Sequence, residues 1–225
     1  MTTPDISRII RSRRRTLAVQ VERDGSVTLR APLRASDKSI QRFVGEHAEW
    51  IARKQHKARK KLEAWPPRRF TEGEAFLYLG SAYPLHIDGS ASKPLTFDNE
   101  RFVLAASHTG RARQAFERWY RGQAAGIIGE AAEHYAKKSG IEYARVKITG
   151  ARKRRGSCGA GGNLCFTWRL AMAPLEAIDY VAVHELAHIR HRDHSRAFWA
   201  EVERMLPDYK VRRKWLRENE HMLAL

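Results

Sequence analysis

The chain has 225 residues, 43% of them hydrophobic and 9% aromatic, which suffices for an ordinary core in one or two domains and excludes a disordered tail. No run approaches the roughly 18 apolar residues that span a bilayer, and the first 25 residues are polar and basic, so neither membrane insertion nor export is expected and the cytoplasm is the expected compartment. The net charge is +17, and residues 1 to 70 hold 18 Lys and Arg against 7 Asp and Glu, so most of the surplus lies in the first third, as a solvated basic surface or a polyanion site.

Thr16 to Val21 and Ser26 to Ala31 read as two strands joined at Asp24-Gly25, a hairpin that is expected to open the fold. Ser36-Asp37 then caps one basic helix from about Lys38 to Leu62, with Ile40, Phe43, Val44, His47, Trp50 and Ile51 at helical spacing. Pro66-Pro67 ends it. Strands follow at 76–80, 83–87 and 101–105. A long helix is predicted over about 111–138, ending at Ser139-Gly140 and packing behind the next helix of interest. Residues 146–150 and 164–170 read as strands around the Gly-rich turn 159–162, and residues 163–170 are the candidate sheet edge for an extended substrate; an internal strand with Phe166 and Trp168 in the core fits equally. Cys158 and Cys165 read as free thiols, with a reversible disulfide across that turn as the alternative.

Pro174 opens an amphipathic helix that carries His184-Glu185-Leu186-Ala187-His188, with His194 six residues on. On a helix, His184 and His188 at i and i+4 leave one face and can hold one cation, His194 returns as a third ligand, and the fourth position of a tetrahedral zinc stays open. One Zn2+ per chain is therefore expected. Glu185 is placed to take a proton from a metal-activated water. His191, between His188 and His194, sits where metzincins carry Gly; it reads as the turn or a residue behind the ligands, with replacement of His194 as the alternative. Tyr209 is the preferred second electrophile for an oxyanion, ahead of Arg155 and Arg169, against a packing role for each. Ser157 and Cys158 have no partner His tied to them, and Phe198, Trp199 and Trp215 read as core. Further helices are expected at 196–206 and 210–223.

The segments Arg152 to Cys158, Gly162 to Leu170, Ile178 to Val181 with HELAH, and His194 to Trp199, together with Arg13-Arg14-Arg15, Arg30 to Leu33 and Trp50-Ile51, closely resemble the YgjP-like (DUF45) metallopeptidases, related to SprT/WLM-type enzymes. Arg155 departs from the Trp usual there. The resemblance implies an α+β fold: residues 1–109 as an N-terminal β-rich module with a basic helix, and 110–225 as a minimal zincin-like core with the HExxH helix packed on a small sheet. It implies His184, His188 and His194 as ligands and Glu185 as the catalytic residue of a zinc-dependent peptidase. Two other readings stay open: a metal-dependent amidase on a small substrate, and a nucleic-acid-associated module with structural zinc. For nucleic acid the candidate contacts are Arg13, Arg14, Arg15, Lys54, Lys57, Lys60 and Lys61.

Overall fold

The computed structural model describes residues 5–22 and 24–225 and divides into two compact units, one ending at Pro67 and the other running from Arg68 to Leu225. The architecture is mixed α+β. In the first unit β1 (Arg8–Ser12) and β2 (Ala18–Val21) flank β3 (Val27–Pro32), parallel and antiparallel to it respectively. The hairpin forms at the expected turn, where Glu22 N–H donates to the Ser26 carbonyl at 2.8 Å and Gly25 takes a φ of +85° that side-chain-bearing residues resist. It does not open the fold, because β1 precedes it; Arg8-Ile9-Ile10-Arg11-Ser12 lacks the apolar and polar alternation that marks a strand.

Val27, Leu29 and Ala31 of β3 are buried with Ile40, Val44 and Ile51 of the following helices. Those helices are two rather than one: α1 (Asp37–Glu46), capped by the Ser36 side chain, and α2 (Ala48–Ala64). His47 breaks them. Its Nδ1 donates to the Phe43 carbonyl at 2.8 Å while its backbone leaves helical geometry at φ −107°, ψ 7°.

The second unit begins with a four-stranded sheet of β4 (Ala75–Tyr78), β5 (Ser81–Asp88), β6 (Leu95–Phe97) and β7 (Phe102–Ala105), in the order β4-β5-β7-β6. α3 (Ala112–Ser139) packs on it through rings: Phe76 on Phe116 at 4.2 Å, Phe102 on Trp119 at 5.0 Å and Tyr78 on Trp119 at 4.9 Å. The Tyr120 hydroxyl, buried, donates to the Leu77 carbonyl at 2.5 Å. This shared aromatic core places the sheet with α3 in the compact unit that begins at Arg68.

α3 ends where expected, at Gly140 in the left-handed region. A second sheet of β8 (Arg145–Thr149), β9 (Gly156–Cys158) and β10 (Asn163–Thr167) has β10 in the centre, parallel to β8 and antiparallel to β9. The expected edge strand at 163–170 is thus the middle of its sheet. Phe166 and Trp168 are buried, and Trp168 to Met172 turn as a short 3-10 segment instead of extending the strand. Cys158 lies opposite Leu164 and Cys165 opposite Ser157, so the two thiols leave opposite faces of the sheet and both are free.

α4 (Leu175–Arg190) carries the histidines and packs on α3 and β9. Its start is fixed by the β4–β5 turn: Leu79 and Gly80 N–H donate to the Ala171 and Met172 carbonyls at 2.9 and 3.1 Å. A Cβ on Gly80 would come within 2.9 Å of Pro174, which, with a φ of +85°, requires Gly there. At the other end, Arg190 donates to the Ser139 and Gly140 carbonyls and pairs with Glu201 at 2.6 Å. α5 (Arg196–Met205) and α6 (Tyr209–Asn219) complete the unit, and Arg212 holds α6 to α4 through Asp179 at 2.9 Å. Among the described residues no helix is long and apolar enough to cross a membrane.

Candidate active site

Helical spacing on α4 puts His184 and His188 side by side, and the chain then turns back to bring His194 to both. The three rings form a nearly equilateral triangle, with centroids 4.9, 5.1 and 4.8 Å apart, and one nitrogen from each lies within 4.8 Å of the others. His184 Nε2 and His194 Nε2 face each other at 3.2 Å, close to the spacing of about 3.4 Å that two nitrogens adopt on a tetrahedral zinc. The donor set, three imidazoles without a fourth His, Cys, Asp or Glu in the cluster among the described residues, fits a zinc site with an open position. Burial first, then the neighbouring histidines and Arg213, hold the His184 pKa down at about 3, so the imidazole stays neutral and able to ligate.

The return loop is built by short-range hydrogen bonds. Asp193 Oδ1 accepts from Ser195 N–H at 3.2 Å, and the Ser195 hydroxyl caps α5 by accepting from Phe198 N–H, which fixes His194 between two anchored residues. His191 closes the helix at φ −129°, in extended rather than left-handed geometry, so a glycine is not required there. Its main chain acts instead: the His191 carbonyl accepts from His188 Nδ1 at 3.0 Å, which leaves His188 Nε2 as the ring nitrogen without a proton. The His191 ring is outside the cluster.

Phe198, fully buried, contacts all three rings, at 4.5 Å from His188, 5.0 Å from His184 and 4.9 Å from His194. Trp199 stacks on His194 at 5.8 Å and on Tyr209 at 5.5 Å. The expected core role of these residues is therefore also a supporting role beside the three imidazoles. Tyr209 is buried in that stack, while Arg155 pairs with Glu220 and Arg169 donates to the Gly150 carbonyl at 3.1 Å and lies over Trp168.

Glu185 is only 5% exposed, and burial pushes its pKa up to about 7. One wall of its pocket is Gly156 of β9: a Cβ there would stand 2.6 Å from Glu185 Cγ and 2.7 Å from Cδ. Sequence reasoning missed Gly156. The available signal was a Gly inside a strand, which often marks close approach of another group. Arg192 ties the end of this strand to the ligand loop, donating to the Gly159 carbonyl at 3.1 Å.

Three converging histidines stand beside a buried carboxylate on the same helix, and residues 15–219 match the family model for the YgjP-like metallopeptidase domain. The chain belongs to the YgjP-like family. It is accordingly a metallopeptidase, whose substrates are peptides or proteins and whose family implies a metal. Among solved structures it is similar to the metallopeptidase zymogen of Pyrococcus abyssi abylysin, at 22% identity and a TM-score of 0.38 over 41% of this chain and 95% of that one. No curated protein matches it.

In this YgjP-like peptidase Gly156→Ala is expected to keep the metal but lose about 10²-fold or more in turnover, because the added methyl displaces the Glu185 carboxylate. Metal content and peptide cleavage measured on the same preparation check this. Unchanged cleavage would show that the Gly156 wall does not set the carboxylate position.

Proposed function

We propose that the protein is a zinc peptidase in which His184, His188 and His194 hold the ion and Glu185 is the general base. The observation that carries this reading is the convergence of three imidazole nitrogens with a carboxylate on the next residue of the same helix and no fourth ligand among the described residues. The absent fourth ligand argues against a structural zinc. Bound there, zinc supplies Lewis acidity that makes a water nucleophile available near neutral pH and polarises the scissile carbonyl. Glu185 would accept a proton from the attacking water and would deliver it to the departing amine. Tyr209 is proposed to donate to the oxyanion.

The substrate strand is proposed to lie along β9, residues Gly156–Cys158, which is the edge of its sheet beside α4, so main-chain groups there can pair with an extended peptide. An open edge of this kind favours a peptide over the small-molecule amidase reading. Zinc-loaded protein is expected to cleave an unfolded protein such as reduced casein, to stop when chelator is added, and to recover with added zinc. Cleavage that persists without metal would remove zinc from the reaction.

A second partner is proposed for the basic surface of the first unit. Lys54, Lys57 and Lys60 are exposed on α2, as are Arg13 and Arg15 before β2, whereas Arg14 and Lys61 are half-buried. Weak, sequence-independent binding to DNA or RNA should weaken with salt at a log-log slope of about −0.7 to −0.9 per neutralised phosphate. Binding that is unchanged when Lys54, Lys57, Lys60 and Lys61 are all replaced by Glu rejects this role.

A further inference from the structure

Trp199 links the metal site to a cation that the proposed hydrolysis does not use. The indole that stacks on His194 carries on it the guanidinium of Arg213, 4.5 Å from the ring centroid. Arg213 is exposed, and among the described residues it makes no ion pair. Its neighbours differ. Arg212 is held by Asp179 and Asp208, both at 2.9 Å, and Arg155 is held by Glu220. The bonds of Arg212, including one to the Glu176 carbonyl at 3.3 Å, anchor α6 on α4, so Arg213 projects from a fixed element.

A guanidinium held over an aromatic face and without an ion-pair partner has its N–H fork available for two parallel hydrogen bonds, the geometry that fits a carboxylate. A neutral or cationic side chain gains nothing comparable from it.

We propose that Arg213 anchors a carboxylate of the substrate, an Asp or Glu side chain or the C-terminal carboxylate, within about three residues of the scissile bond at ~3.3 Å per extended residue. The inference rests on the peptidase reading and adds a substrate class to it: acidic peptides. Trp199 then serves twice, as a stacking partner of His194 and as the platform that sets the height of the guanidinium.

The test uses a synthetic octapeptide mixture, randomised at every position and prepared with free and amidated C-termini, digested by the zinc-loaded protein and read by mass spectrometry. Asp and Glu are expected to be enriched about tenfold at one position within three residues of the cut, the size of one charge-assisted contact at a partly exposed site. Arg213→Gln should abolish the enrichment and Arg213→Glu should turn it towards Lys and Arg. A preference lost on amidation, whatever the side chains, identifies the terminal carboxylate as the ligand. No acidic preference, or one that survives in both variants, overturns the proposal. A binding arm separates this from failure of the peptidase reading: fluorescein-labelled peptides differing only in Glu or Gln are titrated into zinc-loaded Glu185→Gln protein with and without Arg213→Gln. If nothing is cleaved, the peptidase reading falls and anisotropy alone judges Arg213. About tenfold tighter binding of the Glu peptide that disappears with Arg213→Gln supports the proposal, and equal affinities overturn it.

Discussion

Glu185→Gln is expected to keep metal occupancy and thermal stability near normal while lowering peptide turnover by about 10²–10⁴-fold, the usual share of a positioned acid–base group. The amide fills the same space against Gly156, so packing is retained. What it loses is the capacity to take a proton. Metal analysis, thermal melting and cleavage on one preparation separate the outcomes: loss of metal together with activity makes Glu185 a structural or ligating residue, and full activity removes it from the mechanism. Tyr209→Phe in the same assays addresses the oxyanion donor, where removal of one donor costs about 10²–10³-fold in turnover. The stack on Trp199 survives in phenylalanine, so a purely packing role leaves turnover intact.

The features legible in the sequence are those written in local periodicity. α3 and α4 are long, with apolar residues at helical spacing and clear ends at Gly140 and Pro174, and the Asp24-Gly25 turn specifies its hairpin. The histidine cluster is legible for the same reason, since i and i+4 on a helix is itself a geometry. Short strands were not. β6 and β9 have three residues each, too few to show alternation. His47 is not a helix breaker by propensity, and only its side-chain bond to Phe43 shows why α1 and α2 part.

Other features depend on partners distant in the chain. Sheet order decides that β10 is central and β9 is the edge, and nothing within residues 163–170 reports it. The allocation of β4 to β7 depends on rings from α3 that meet them in space. Gly156 is of the same kind: its lack of a side chain matters because Glu185 occupies the volume a side chain would need. His191 illustrates a subtler loss, since its residue type drew attention to the ring while the structure uses the carbonyl, which any residue supplies.

That distinction leads to a sharp expectation for the histidines. Alanine at His184, His188 or His194 should reduce zinc from one ion per chain to near none, whereas His191→Ala should keep it, because the main-chain acceptor for His188 Nδ1 remains. Hydrolysis should follow the metal in each case. A stability readout makes the test independent of any substrate: zinc binds the folded site, so adding it at about 1,000 times its Kd stabilises by about 4 kcal/mol and raises the melting temperature. That rise is expected in the native protein and in His191→Ala and should be absent from the other three variants. Phe198 contacts all three ligand rings, so each alanine also opens space beside it, and the metal-free melting temperatures of the variants provide the baseline for that packing loss. If His194→Ala still gains stability from zinc and His191→Ala does not, the third ligand is His191 and the loop must turn differently from the one seen here.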